Sequence, residues 1–276
     1  MRSQPALHIQ GTIDKWRQNN GALGLNVGIS VNEAPSLSLA SGFQAPNRHD
    51  PLAANQTFYI YSITKTFVSV AILKLIEQGK LSLDASVSQF FPNRALNSEI
   101  KVLHLLNHTS GLPEYTMLEQ VQALAHTLET QALSDDEILD LVLDAPSDFK
   151  PGQGWRYSNT GYMLLRMLIE SITGKRFAEA LQALLLRPLE LCQSHVVTEK
   201  KDPQVTSGFS NKFGPDDQLI EINNRYDPNW VKTGLVASTV CDVTRFYSKL
   251  FQGAVLQPAT LDDMIKSRYL ATQGAT

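Results

Sequence analysis

The stretch TFYIYSITKTFVSVAILKLIEQG, residues 57–79, carries the decision about the fold. Its opening, Thr57 to Tyr61, is β-branched and aromatic and reads as a short extended run. The period then changes. Ile63, Phe67, Val70, Ala71, Ile72, Leu75 and Ile76 recur at helical spacing until Gly79 ends the helix. Ser62 stands at or beside the first turn, and Lys65 follows one turn later.

Upstream, Leu23 to Val31 alternates apolar odd positions with Gly24, Asn26, Gly28 and Ser30, the period of a strand buried on one face. Asn32 to Pro35 has turn chemistry, and Leu37 and Leu39 resume the alternation, which predicts a hairpin. A lone hairpin is marginal in water and needs further strands or a helix over it. Downstream the signals are helical. The spacing predicts helices from Val102 to Asn107, after a capping box at Ser134-Asp-Asp-Glu137, from Asn159 to Thr173, and from Phe177 to Leu186. After an irregular polar stretch, Ser238 and Thr239 cap a helix reaching Gly253, and a short one follows Pro258. The expected class is α/β (α+β): an antiparallel sheet flanked by helices, with an all-helical lobe between Asp84 and about Val196. Residues 1–276 are read as one catalytic domain.

The composition narrows the function. With 276 residues and 43% hydrophobic content the chain can build one substantial core. A net charge of -3, and no Lys/Arg run able to track a phosphate backbone, argue against a nucleic-acid partner. No run approaches a transmembrane span, and Met-Arg-Ser-Gln-Pro at the start lacks the apolar core of a signal peptide. Cys192 and Cys241 lie in apolar stretches and are read as two buried thiols, with a single bridge left open. The histidines form no paired-ligand pattern, so neither a metal nor an organic cofactor is expected.

The pattern Ser-x-x-Lys occurs twice, at Ser62–Lys65 and Ser98–Lys101. Ser98 lies in a polar connection and reads as solvated surface. At Ser62 the amine of Lys65 shares a helix face with the hydroxyl, and the helix start offers free N–H groups and partial positive charge. Both favour negative charge on a serine oxygen or an attacked carbonyl. A capping serine with a solvated lysine fits the same stretch. A second element is Pro151-Gly-Gln-Gly-Trp-Arg-Tyr-Ser-Asn-Thr-Gly-Tyr162, where Tyr157 and Asn159 enter a helix from a Gly-rich turn. Residues two apart in an extended segment point the same way. A phenol beside an ammonium can exchange a proton with a serine, and an amide can serve both a substrate carbonyl and a lysine. A buried tyrosine with an N-capping asparagine is the plainer alternative.

Tyr61-Ser-Ile-Thr-Lys-Thr-Phe67, Leu105-Leu-Asn-His-Thr-Ser-Gly-Leu-Pro113 and Pro151-Gly…Tyr162 occur in an order that resembles the serine β-lactamase-like family. The branch is that of class C β-lactamases, D-alanyl-D-alanine carboxypeptidases and related esterases. Gly79-Lys-Leu-Ser-Leu-Asp84 and Gly234-Leu-Val-Ala-Ser-Thr239…Asp242 are similar to it as well, so the likeness spans most of residues 15–265. The resemblance implies that Ser62 is the acylated nucleophile and Lys65 its partner. It further implies that Tyr157 is a general acid/base coupled to Lys65, and that Asn159 orients substrate. The Ser62 N–H would form half of an oxyanion hole. It also implies a periplasmic or secreted setting and a small-molecule or peptidoglycan-peptide substrate.

The family's third motif is Lys-Thr-Gly or His-x-Gly on a strand lining the site. Lys232-Thr-Gly234 spells it, but the residues that follow, through Arg245 and Phe246, fit a loop entering a helix ahead of that motif. On this preferred reading the C-terminal strands and the second oxyanion donor are expected to be missing. One lost donor costs about 3 kcal/mol, roughly a hundredfold in rate. Either a further segment or a partner chain completes the sheet, or the product is an impaired penicillin-binding relative acting as a binding or structural protein. The leading expectation is a serine hydrolase acting on D-alanyl-D-alanine peptides, β-lactams or related amides and esters.

Overall fold

The computed structural model describes residues 4–31, 36–46, 50–125, 130–214, 216, 218–223, 225 and 227–266. Its centre is α2 (Thr64–Glu77), which buries Phe67, Val68, Val70, Ala71, Ile72 and Leu75 completely. A helix apolar nearly all round has to be enclosed by others. Here α6 (Asn159–Thr173) crosses it with Met163, Leu164, Leu165 and Leu168, and α8 (Val240–Phe251) closes the far side. The Phe67 and Phe246 rings stack with centroids 4.0 Å apart, clamping α2 to α8. Among the described residues between 84 and 194 the regular elements are helical: α3 (Val102–Leu106), α4 (Glu119–Ala125), α5 (Asp135–Asp144), α6, and α7 (Phe177–Leu181), which continues as a π-helical turn through Leu186. The capping box appears as expected: the Ser134 hydroxyl accepts from the Glu137 N–H at 3.2 Å, and the Glu137 carboxylate accepts from the Ser134 N–H at 2.7 Å. Gly174, at φ 64°, ends α6 in the left-handed conformation. A short α9 (Pro258–Ile265) follows α8. Among the described residues no helix is long and apolar enough to cross a membrane.

The strands form small antiparallel sheets. β1 (Gly24–Ile29) pairs with β2 (Leu37–Gly42), Gly24 facing Gly42 and Ile29 facing Leu37. The turn expected at residues 32–35 lies outside the described residues. The alternation suggested one wet face for this hairpin, and the structure differs, because both faces are half-covered. A Cβ at Gly28 would stand 2.7 Å from Thr244 Cγ2 and 2.9 Å from the Val240 oxygen of α8. The small residues on that face mark the close approach of a helix rather than solvent. A helix the periodicity did not reveal, α1 (Gln4–Asn19), lies against β2, with Arg17 donating to Ser41 at 2.9 Å.

The stretch read as irregular contains strands too short to show a period. β4 (His195–Val196) and β7 (Val236–Ser238) join β3 (Phe58–Tyr59) in the order β3-β7-β4. β5 (Phe209–Ser210) pairs with β6 (Ile220–Glu221). The cysteine reading also needs correction. Both thiols are free: Cys192 is exposed, with the neighbouring Leu191 in the buried place of that turn, and Cys241 is half-buried in the first turn of α8.

Candidate active site

The chain leaves β3 and turns sharply into α2 through one helical turn at Tyr61–Ile63. Tyr61 makes the corner with φ 40°, a left-handed conformation costly for a bulky residue. The strain is held by β7. The Ile60 N–H donates to the Val236 oxygen at 2.9 Å, and the Val236 N–H donates to Thr64 Oγ1 at 3.2 Å. Ser62 is thereby set on an exposed corner at the entrance of a buried helix.

Three side chains converge there. Tyr157 Oη donates to Ser62 Oγ at 2.7 Å, and Lys65 Nζ approaches the same oxygen at 3.3 Å. Lys65 Nζ also donates to Asn159 Oδ1 at 2.7 Å and sits 4.8 Å from the centre of the Tyr157 ring. Lys65 is only 6% exposed, so its ammonium is screened little by water. Tyr157 is 40% exposed and forms the outer wall of the cluster. Asn159 opens α6 directly after its N-cap Ser158, whose hydroxyl accepts from the Gly161 N–H at 2.9 Å. Ser158, not Asn159, is therefore the capping residue. Beside the cluster a cavity of about 430 Å³ is walled by Lys65, Thr66, Leu103, Leu106, Trp155 and Tyr162.

Two residues that received no role from the sequence touch this cluster. Glu114, 7% exposed, accepts from the Asn159 backbone N–H and from Asn159 Nδ2 at 2.9 Å. Gly111 helps deliver it. Its φ is 72° and a Cβ there would meet the Phe149 oxygen at 1.9 Å, so only glycine fits where the loop turns toward Glu114. His108 packs at a tilt against Tyr157 and Tyr162, with centroids 4.7 and 5.1 Å away, and its Nδ1 accepts from the Ser158 N–H at 3.1 Å. Its place inside the quoted Leu105–Pro113 motif was the available signal; for Glu114 the signal was only adjacency to Pro113.

Burial, aided by the Lys65 charge, pushes the His108 imidazole down to about 4 from an ordinary 6.5. Between those values the unfolded chain binds more protons than the folded one. Stability therefore rises with pH across this window and drains away as pH falls from about 6.5 to about 4. His108→Asn tolerates the positive φ of 64° and can still accept from Ser158. It is expected to flatten that part of the profile of melting temperature against pH. Identical acid slopes for the two proteins would refute the assignment.

Lys232-Thr-Gly234 is engaged elsewhere. The Lys232 ammonium donates to the Leu133 oxygen and lies 3.4 Å from Asp135, at the start of α5. Its backbone N–H donates to Tyr115 Oη at 3.2 Å, and its oxygen accepts from Arg166 Nε at 2.8 Å. Burial holds this ammonium below its ordinary pKa, with Asp135 opposing. None of these partners belongs to the Ser62 cluster. Lys232→Met should cost about 1–3 kcal/mol of stability by stranding the Leu133 oxygen. If Ser62 is acylated, as the resemblance implies, its acylation rate per folded molecule should stay within about twofold, as for a residue outside the cluster. The other Ser-x-x-Lys pair is a surface feature: Ser98 is exposed and Lys101 donates to Asp84 at 2.8 Å.

The chain is similar to several known proteins. The Bacillus subtilis (strain 168) protein named penicillin-binding protein 4* is 27% identical over 231 residues, which is 79% of this chain and 50% of that one. Esterase EstB of Burkholderia gladioli is 35% identical over 151 residues, 50% of this chain and 38% of the esterase. The chain thus spans about half the length, or less, of these relatives. Among solved structures, D-amino acid amidase from Ochrobactrum anthropi SV3, in complex with L-phenylalanine amide, superposes with a TM-score of 0.84 at 25% identity. The match covers 94% of this chain and 74% of the amidase. The family model described as Beta-lactamase matches residues 9–275. With that match running through Ser62, Lys65, Tyr157 and Asn159 alike, the chain belongs to the beta-lactamase family.

Proposed function

We propose that this chain is a serine hydrolase that works through an acyl-enzyme on Ser62. The observation that carries the reading is one oxygen, Ser62 Oγ, held 2.7 Å from a phenol and 3.3 Å from a buried ammonium. Both groups can give a proton to that oxygen or, after releasing their own, take one from it. In the proposed cycle Ser62 Oγ attacks a carbonyl carbon and its proton passes to the Tyr157–Lys65 pair. The tetrahedral adduct collapses, and the bond to the leaving amine or alkoxide breaks as the pair returns a proton to that leaving group. Water then attacks the ester, its proton relayed by Tyr157, and Ser62 Oγ leaves as the hydroxyl. Asn159 Nδ2 is the amide face that orients substrate, and the N–H of Ser62 is one oxyanion donor.

Residues 1–276 act in this reading as one catalytic domain, with the helical lobe at 84–196 forming one wall of the cleft. Substrates are carbonyl compounds with a good or strained leaving group: D-alanyl-D-alanine peptides of peptidoglycan, β-lactams and related amides or esters. The names of the penicillin-binding, amidase and esterase relatives support this range.

Intact mass after incubation with a β-lactam, a fluorophosphonate and a p-nitrophenyl ester tests the proposal. An adduct of the expected mass on the peptide containing Ser62 supports it. No adduct with any of the three sinks it and leaves a non-acylating binding protein as the reading.

A further inference from the structure

The acting amide of the cluster can be seated in two ways, and something must choose between them. Lys65 Nζ carries only donors, so it is matched by Asn159 Oδ1 and repelled by Asn159 Nδ2. Rotating the amide by half a turn would exchange the two. A free side chain in water pays little for that rotation.

Glu114 removes the freedom. A carboxylate only accepts, so the amide end facing it has to be Nδ2, which donates to Oε1 at 2.9 Å. The same carboxylate takes the Asn159 backbone N–H, an orphan donor at the start of α6, through Oε2. It is itself pinned, since Thr116 donates to Oε1 from Oγ1 at 2.9 Å and from its N–H at 3.3 Å. A carboxylate 7% exposed is costly unless several donors satisfy it, and here four do. Anchoring a helix start alone needs one acceptor. The second set of bonds, to the Asn159 side chain, has its consequence at Lys65.

We infer that Glu114 is a positioning residue: it locks the Asn159 amide with its oxygen toward Lys65, and so holds that lysine against Ser62. The inference rests on the proposed acylation of Ser62 for its kinetic consequence, though not for its geometry. The order of charge runs carboxylate, amide, ammonium, serine oxygen, each link matching a donor to an acceptor.

Glu114→Gln keeps size and shape but brings an NH₂ where only acceptors fit. With that NH₂ toward Asn159 Nδ2, the Asn159 amide gains by turning over and Nδ2 faces the Lys65 ammonium; with it toward the Asn159 backbone N–H, the anchor at the start of α6 is lost and the amide is held less firmly. Acylation by a fluorescent penicillin or an activated ester should fall about 10–100-fold, with the melting temperature followed in parallel. In an Asn159→Ala background the same change should cost less than about twofold, because residues acting through one another are not additive. Losses that multiply, or wild-type acylation in Glu114→Gln, overturn the inference. Should Glu114→Gln not fold, Thr116→Val loosens the carboxylate instead. A loss of about 2–5-fold that vanishes in the Asn159→Ala background is then expected, and an additive one overturns the idea. A readout independent of turnover is the exchange of the Asn159 side-chain amide protons by NMR. The proton bonded to Glu114 should be protected in the wild-type chain and should exchange freely in a folded Glu114 or Thr116 variant. Free exchange already in the wild type would overturn the inference whether or not Ser62 acylates. Protected protons in a chain that fails to acylate would refute only the proposed function.

Discussion

Ser62→Ala is expected to abolish covalent labelling and to lower any hydrolysis by about 10⁴-fold or more, the scale on which loss of a nucleophile acts. The hydroxyl is the one atom that both Tyr157 and Lys65 address, so no neighbour can substitute for it. The fold should not notice. Ser62 is exposed, and the turn around it is held by backbone bonds from Ile60 and Val236 rather than by its side chain. The measurement is intact mass with and without probe, beside a thermal melt. Ser98→Ala is the control, since it repeats the motif on the exposed surface. Persistent labelling of Ser62→Ala with unchanged stoichiometry would place the reactive group elsewhere and remove the basis of the proposed function.

Tyr157→Phe comes next in size. It deletes one oxygen 2.7 Å from Ser62 Oγ and retains the ring that packs on His108 and under the Lys65 ammonium. If the phenol carries protons between nucleophile and leaving group, the rate falls by about 10²–10⁴-fold, as for a general acid/base. The loss should be smaller for substrates whose leaving group needs no proton, such as p-nitrophenyl esters, than for amides. That split matters more than the size of either effect. Equal losses on both substrates would assign Tyr157 a packing role, and the single-turnover rates of the two substrate classes decide the matter.

What could be read from the sequence was whatever repeats locally. The helix at Asn159–Thr173 is legible because its apolar residues keep a helical period and Gly174 stops it. The capping box at Ser134 is legible because both members lie within one turn. α2 is legible by its helical period, and the structure brings its Lys65, and Ser62 in the turn before it, together with Tyr157 and Asn159. Two-residue strands such as β4 and β6 escape, since alternation cannot be seen in so few positions. α1 escapes because Gly11 and scattered polar residues blur its face. Glu114 looks like any acid in a loop. Only tertiary packing turns its carboxylate toward the amide of a residue 45 positions away, at the start of α6.

The pairing of α2 with the start of α6 also sets when this molecule becomes competent. The hydrogen bonds that complete the cluster join residues 94 and 95 positions apart. A loop of that size closes against more chain entropy than a helical turn does, so we expect contacts across it to follow helix formation. In a refolding experiment helical circular dichroism should return before the capacity to take up an acyl label. A single covalent probe at Ser62 would then serve as a stopwatch for the last step of assembly.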